Sequence, residues 1–218
     1  MKEIKSIGVI GAGTMGSGIT LVAAMNGFKA YQIDVAEAQL ERAKASHNKI
    51  LGRNIEKGRM SEDQVEATKN NLIYTTQIGD AKDVDWAVEA VFESADLKKK
   101  IFEQMKATFR NDIVLASNTS SISITEVATA VGDEDANRVI GMHFFNPVPV
   151  MKLVEVIKGL ATSEETTART IALAKKMGKV PVPANDRAGF VSNRVLMPMI
   201  NEAFYAWMDG VAEPEDID

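Results

Sequence analysis

The sequence predicts an α/β fold built on a doubly wound parallel sheet, because short apolar runs alternate with amphipathic helical segments along the chain. Residues 7–18, IGVIGAGTMGSG, also run an apolar strand straight into Gly11, Gly13 and Gly16. An acid, Asp34, stands at the end of the next apolar run. Strand, glycines, helix and acid in that order define a Rossmann-type βαβ unit.

Lys5 to Ile10 is the first strand. Thr14 to Asn26 carries Met15, Ile19, Val22 and Ala23 at helical spacing, and Gly27 is placed to end that helix. Ala30 to Ile33 supplies the second strand. Ala36 to Lys57 reads as a long charged helix stopped at Gly58, on which His47 is expected to be solvated. Ser61 and Gln64 form a capping-box pattern for a further helix ending near Asn70 and Asn71. Leu72 to Tyr74, Trp86 to Val91 and Ile113 to Ala116 read as short buried strands, with a helix from Asp96 to Phe109 before the last. Arg138 to Met142 and Lys152 to Ile157 are strand-like, and helix signals resume near Asp186. No internal repeat, low-complexity tract or proline-rich linker interrupts the series.

Each part of the glycine turn has a chemical use. Gly11 allows a tight turn, Gly13 lets backbone approach a pyrophosphate, and Gly16 lets the helix pack closely on its strand. The helix N-terminus offers free N–H groups and a positive dipole end to phosphate. Asp34 lies roughly 20 residues past the glycines, where a carboxylate accepts bonds from ribose hydroxyls and repels a 2′-phosphate. The expected cofactor is therefore NAD, not NADP. Glycines alone also serve plain turns, so the strand, helix and acid around them carry the inference.

Composition narrows the class further. A chain of 218 residues buries a sizeable core. Its net charge of −5 gives nucleic acid no basic footprint. No apolar run approaches the roughly 20 residues of a membrane span. With no cysteine there is neither a disulfide framework nor a thiolate zinc site, and no metal is expected. A cytoplasmic protein without a signal peptide is the expectation.

Two further clusters bear polar chemistry. Ser117 to Ser121, SNTSS, follows a strand at the carboxyl edge of the sheet, where open α/β folds bind ligands. Taken locally, that loop serves equally to start a helix, since Ser123 and Glu126 fit another capping box. His143 directly follows the run Arg138 to Met142, and an imidazole exchanges a proton near neutrality. Glu155 lies on the next apolar run, so pairing of the two segments would set a carboxylate against the ring. Read alone, the two are also compatible with a histidine satisfied in a turn beside an unrelated surface glutamate.

Taken together, five segments resemble the L-3-hydroxyacyl-CoA dehydrogenase family: VIGAGTMGSGI, EAVFE at 89–93, SNTSS, HFFNPVPVMKLVEV at 143–156, and GFVSNR at 189–194. The resemblance spans nearly the whole chain and implies NAD-dependent oxidation of a short-chain 3-hydroxyacyl-CoA. It implies His143 as catalytic base, Glu155 as its partner, Ser120 as the hydroxyl on the substrate oxygen, and Asn193 as the amide near the thioester. On the cofactor side it implies Gly11, Gly13, Thr14, Met15, Gly16 and Asp34, with Ser120, Glu93 and Lys98 toward the nicotinamide ribose and Asn146 beside the nicotinamide. Lys57 matches a lysine contacting coenzyme A.

The resemblance also divides the chain. Residues 1–185 are expected to form the NAD-binding domain, and 186–218 the start of a helical substrate and dimerisation domain, present only as its first helix. Phe190, Leu196, Ile200, Phe204 and Trp207 put apolar groups on faces this segment cannot bury alone. The family continues through further helices that complete the cleft and form a homodimer. Position 188 is alanine where many members carry proline. Two other functions compete with the leading one. A dehydrogenase of another small hydroxy acid commonly uses lysine where His143 stands. A non-catalytic NAD-binding fragment or relative is favoured by the incomplete second domain and opposed by intact Ser120, His143, Glu155 and Asn193.

Overall fold

In a computed structural model, which describes residues 3–218, eight strands form a single sheet. Residues 1 and 2 of the expected first domain lie outside the described residues. The strands are β1 (Ser6–Ile10), β2 (Lys29–Ile33), β3 (Leu72–Thr75), β4 (Trp86–Glu89), β5 (Val114–Ser117), β6 (Val139–Phe144), β7 (Leu153–Lys158) and β8 (Val180–Asn185). The helices are α1 (Thr14–Met25), α2 (Glu37–Glu56), α3 (Glu62–Asn70), α4 (Ala95–Thr108), α5 (Ile124–Ala128), α6 (Glu164–Lys176), α7 (Ser192–Met208) and α8 (Pro214–Ile217).

Sheet order is β3-β2-β1-β4-β5-β6-β7-β8. The first six strands run parallel, β7 returns antiparallel to β6, and β8 pairs parallel with β7. The chain leaves β1 toward one edge and resumes at β4 on the other side, which makes the carboxyl ends of β1 and β4 the switch point where such sheets open a crevice. Helices cover both faces, so the strands are apolar on both sides. Ile7, Val9, Trp86 and Val88 pack in one buried cluster with Ile19 of α1 and Leu173 of α6. Ala87, Leu115 and Val139 pack in another with Phe102 of α4 and Ile124 of α5.

Gly27 and Gly58 follow α1 and α2, and the Ser61–Gln64 capping box is present in full. Ser123 caps α5 through the Glu126 N–H, but the Glu126 side chain pairs with Lys99. Several boundaries move. β4 stops at Glu89, because the Val91 N–H goes to the Glu89 carboxylate at 2.7 Å and not to a neighbouring strand. β6 extends through Phe144, so His143 lies within the strand and not after it. No helix begins at Asp186. Its carboxylate instead accepts bonds from the Ser123 hydroxyl at 2.6 Å and the Thr125 N–H at 2.8 Å, and positive φ at Gly189 and Phe190 delays α7 until Ser192.

Two elements, α6 and β8, go beyond the sequence expectations, and the four-residue α8 adds a second helix to the 186–218 segment expected to hold only one. The buried face of α6 is mostly threonine, with Thr167 and Thr170 returning their hydroxyls to carbonyls one turn back. Such a face carries little hydropathy signal. Its termini were nonetheless marked by Ser163 at the cap, Glu164 and Glu165 in the first turn, and Lys175 and Lys176 in the last. β8 reads VPVPAN, and prolines argue against a strand unless it lies at an edge. The N–H groups of Val180 and Asp186 reach β7, so the alternation sets Pro181 and Pro183 with their missing donors on the open side.

His47 is not solvated: it is 1% exposed. Leu40, Ala43, His47 and Leu51 form the buried stripe of α2, so its helical spacing places the ring inside. Its Nε2 lies 2.9 Å from the Ser17 carbonyl oxygen and its Nδ1 2.7 Å from the Tyr74 hydroxyl. A carbonyl only accepts, so Nε2 carries the hydrogen and Tyr74 donates to Nδ1. Burial lowers the His47 pKa, opposed in part by the bond to Ser17. Burial, with the Glu41 charge, pushes Tyr74 up to about 12. Because the folded value is lowered, the unfolded chain takes up the proton first as pH falls, and stability declines below about pH 6.5. His47→Gln is expected to cost about 1–3 kcal/mol near neutral pH and to flatten that decline. Urea denaturation of both proteins from about pH 7.5 to 5 measures the two effects.

Candidate active site

The site begins at the switch point. Gly11 has φ +102°, and a Cβ there would stand 2.5 Å from the Ala90 carbonyl oxygen, so β1 and β4 meet only through glycine. A Cβ on Gly16 would stand 1.8 Å from the Gly11 oxygen, which ties α1 directly to the turn. At Gly13 an added Cβ meets nothing within 4 Å, leaving the backbone open to approach. No side chain caps α1 and no acid occupies its first turn, so its first N–H groups are available to an anion. Asp34 is half-buried, with Oδ2 accepting the Ala12 N–H at 2.8 Å and Oδ1 the Ala36 N–H at 2.9 Å. Its remaining lone pairs suit vicinal hydroxyls, and the turn as a whole fits a dinucleotide.

A charged cluster supports the next wall. Glu89 and Lys98 are fully buried and paired at 2.7 Å, and Ser117 donates to the other Glu89 oxygen at 2.7 Å. Lys98 also reaches Glu93 at 3.3 Å. Glu93 Oε1 accepts from the Thr119 hydroxyl at 2.5 Å and from the N–H groups of Ser120 at 3.0 Å and Ser121 at 3.2 Å. Burial pushes the Glu93 carboxyl up, but the Thr119 hydroxyl, the Lys98 charge and the Ser120 N–H outweigh it and hold it below the usual range. The serine-rich loop is thus tied to a carboxylate, which in turn is tied to a buried ammonium.

His143 and Glu155 face each other across β6 and β7 in direct register, with Nδ1 to Oε2 at 2.7 Å. The carboxylate only accepts, so Nδ1 carries the hydrogen and Nε2 presents its lone pair. Glu155 Oε1 accepts the N–H groups of Val191 at 3.0 Å and Ser192 at 2.8 Å, where the chain turns into α7. Burial pushes the Glu155 carboxyl up, yet the bonds from His143, Ser192 and Val191 win and hold it below the usual range. Asn193, one residue into α7, donates to the Ser120 carbonyl oxygen at 3.3 Å.

These parts enclose one cleft of about 970 Å³. Gly11, Gly13, Thr14, Met15 and Asp34 line one end, and Ser120, His143, Asn146 and Asn193 the other, with Glu93 between. Not every expected residue reaches it. Gly16 acts in packing, Glu155 stands behind His143, and Lys98 is enclosed beneath Glu93. Lys57 is exposed at the end of α2, away from the lining. Phe92 and Phe145 line the cleft without having been singled out, although both lie in the EAVFE and HFFNP segments.

A doubly wound sheet with a dinucleotide turn at its switch point and a carboxylate-held histidine across the same cleft defines a nicotinamide-dependent dehydrogenase. Residues 6–187 match the family model for the 3-hydroxyacyl-CoA dehydrogenase NAD binding domain, and residues 189–218 that for the C-terminal domain. The chain belongs to the 3-hydroxyacyl-CoA dehydrogenase family and is an NAD-dependent oxidoreductase. It is 50% identical to a probable 3-hydroxybutyryl-CoA dehydrogenase of Bacillus subtilis, over 99% of this chain and 75% of that one. A 3-hydroxybutyryl-CoA dehydrogenase of Clostridioides difficile is 42% identical over 97% of this chain and 75% of its own length. The crystal structure of (S)-3-hydroxybutyryl-CoA dehydrogenase from Ralstonia eutropha superposes with a TM-score of 0.95 at 43% identity, covering 99% of this chain and 76% of that one.

A glutamine at 155 has one acceptor oxygen to divide between His143 and the start of α7. Glu155→Gln is therefore expected to destabilise the protein near neutral pH. The lowered carboxyl value means that the parent's advantage is complete above about pH 4.3 and is lost as pH falls through the folded value. Denaturation midpoints of parent and variant should converge as pH is lowered below about 4.3.

Proposed function

We propose that the chain interconverts (S)-3-hydroxybutyryl-CoA and acetoacetyl-CoA, within the (S)-3-hydroxyacyl-CoA to 3-oxoacyl-CoA reaction class. The observation that carries this reading is the His143–Glu155 bond of 2.7 Å at the end of a cleft whose other end is the dinucleotide turn. NAD held by that turn would supply a hydride acceptor in oxidation and, as NADH, a hydride donor in reduction.

The chain's own groups do the rest. His143 Nε2 takes the proton of the 3-hydroxyl, and the Glu155 carboxylate stabilises the imidazolium that forms. In reduction the protonated ring returns that proton to the carbonyl oxygen, and the Ser120 hydroxyl donates to the same oxygen. The Asn193 amide turns toward the thioester. Gly11, Gly13, Thr14 and Met15 hold the pyrophosphate, with Gly16 fixing the turn. Asp34 takes the adenosine ribose, Glu93 and Ser120 with Lys98 behind them take the nicotinamide ribose, and Asn146 borders the nicotinamide. Lys57 extends the coenzyme A contact along the outer surface.

Residues 1–185 act as the NAD-binding domain and 186–218 as the opening of the substrate and dimerisation domain, in a cytoplasmic protein that pairs as a homodimer when the further C-terminal helices are present. Among the described residues no helix is long and apolar enough to cross a membrane. A second reading, an NAD-binding unit whose substrate wall is incomplete, is favoured by α7, which buries no residue and exposes Met199, Phe204 and Trp207.

NADH oxidation with acetoacetyl-CoA separates the two. The parent should turn over, and His143→Ala should lose about 100- to 10,000-fold in kcat while keeping its NADH affinity. A parent that binds NADH without turnover supports the second reading.

A further inference from the structure

The connection from β6 to β7 holds the shape of the catalytic end, yet its backbone satisfies little of itself. Pro147 and Pro149 supply no N–H, and the N–H groups of Val150 and Met151 both go to the Pro147 carbonyl. The carbonyls of Val148 and Met151 are taken up by the ammonium of Lys179, the residue that precedes the neighbouring strand β8, at 2.5 Å and 2.8 Å. Lys179 is 8% exposed, and no carboxylate among the described residues pairs with it. Its backbone is fixed on both sides, since its own N–H bonds Ala174 at the end of α6 and the Val180 N–H bonds Lys152 beside β7. A buried lysine kept only for carbonyls is costly unless the geometry it fixes matters.

That geometry leads to the histidine. Glu155 holds one nitrogen of His143, which leaves the ring plane to be set by its neighbours. Phe145, the first residue of the clamped connection, packs against the imidazole with centroids 4.4 Å apart and the ring planes tilted by 45°, and Phe190 lies at 6.0 Å. Asn146 follows on the cleft wall. Val148 is buried over Gly18 of α1, where an added Cβ would stand 2.8 Å away, so the same connection touches the dinucleotide helix. We infer that Lys179 is a positioning residue for His143: its ammonium clamps the β6–β7 connection, and through Phe145 the clamp sets the tilt of the ring.

The chain holds two histidines, so 15N-histidine labelling yields two imidazole spectra, one from the site and one from buried His47. In Lys179→Met the His143 signals should shift while those of His47 stay. Unmoved His143 signals in the folded variant, or equal movement of both rings, would overturn the inference. Should Lys179→Met not fold, Lys179→Gln, which keeps a donor for one carbonyl, is scored the same way, and failure of both to fold assigns Lys179 to folding alone. Turnover measured in parallel should show kcat lowered about 10- to 100-fold. The inference rests on His143 as base, and a parent without turnover would count against that role while leaving the spectral test standing.

Discussion

The cleft depends on one antiparallel register, the pairing of His143 with Glu155 across β6 and β7. Alternation along a strand has a period of two, so a slip of one residue would send Glu155 to the opposite face of the sheet. The register also divides the labour of a single carboxylate. One oxygen orients the imidazole and the other receives two N–H groups from the turn into α7. The position of Asn193 therefore follows from the same side chain that sets the tautomer of the ring. A hinge at this junction would disturb both ends of the chemistry together.

The cofactor side is organised around a different economy of charge. Two carboxylates, Glu89 and Glu93, share the Lys98 ammonium, and every other bond to them comes from a neutral hydroxyl or N–H. Removing Lys98 would leave the fully buried Glu89 carboxylate without its countercharge, a loss of roughly 3–5 kcal/mol. Lys98 thereby governs the serine loop at one remove, through the carboxylate that the loop wraps.

Features encoded by neighbours in the chain were legible in the sequence: the glycine turn, the acid at Asp34, the Ser61 capping box and the alternation of strands with helices. The His143–Glu155 pair was legible only as a possibility until the register joined them. What escaped was encoded by distant partners or by unusual chemistry. The core face of α6 is built from threonines that bond within their own helix, and His47 sits in a polar helix whose buried stripe requires partners on α1 and β3. The start of α7 was misplaced because Asp186, a plausible helix opener by composition, serves α5 instead. Lys98 resembled a ligand contact, and only its burial reveals that its charge is spent internally.

The prolines of β8 have a meaning beyond their own strand. An edge presents a ladder of unpaired donors and acceptors that invites another molecule to join the sheet. At β8 the outward donors at positions 181 and 183 do not exist, so a docking strand would find acceptors without the complementary N–H groups. This border is thereby protected against fibre-like growth.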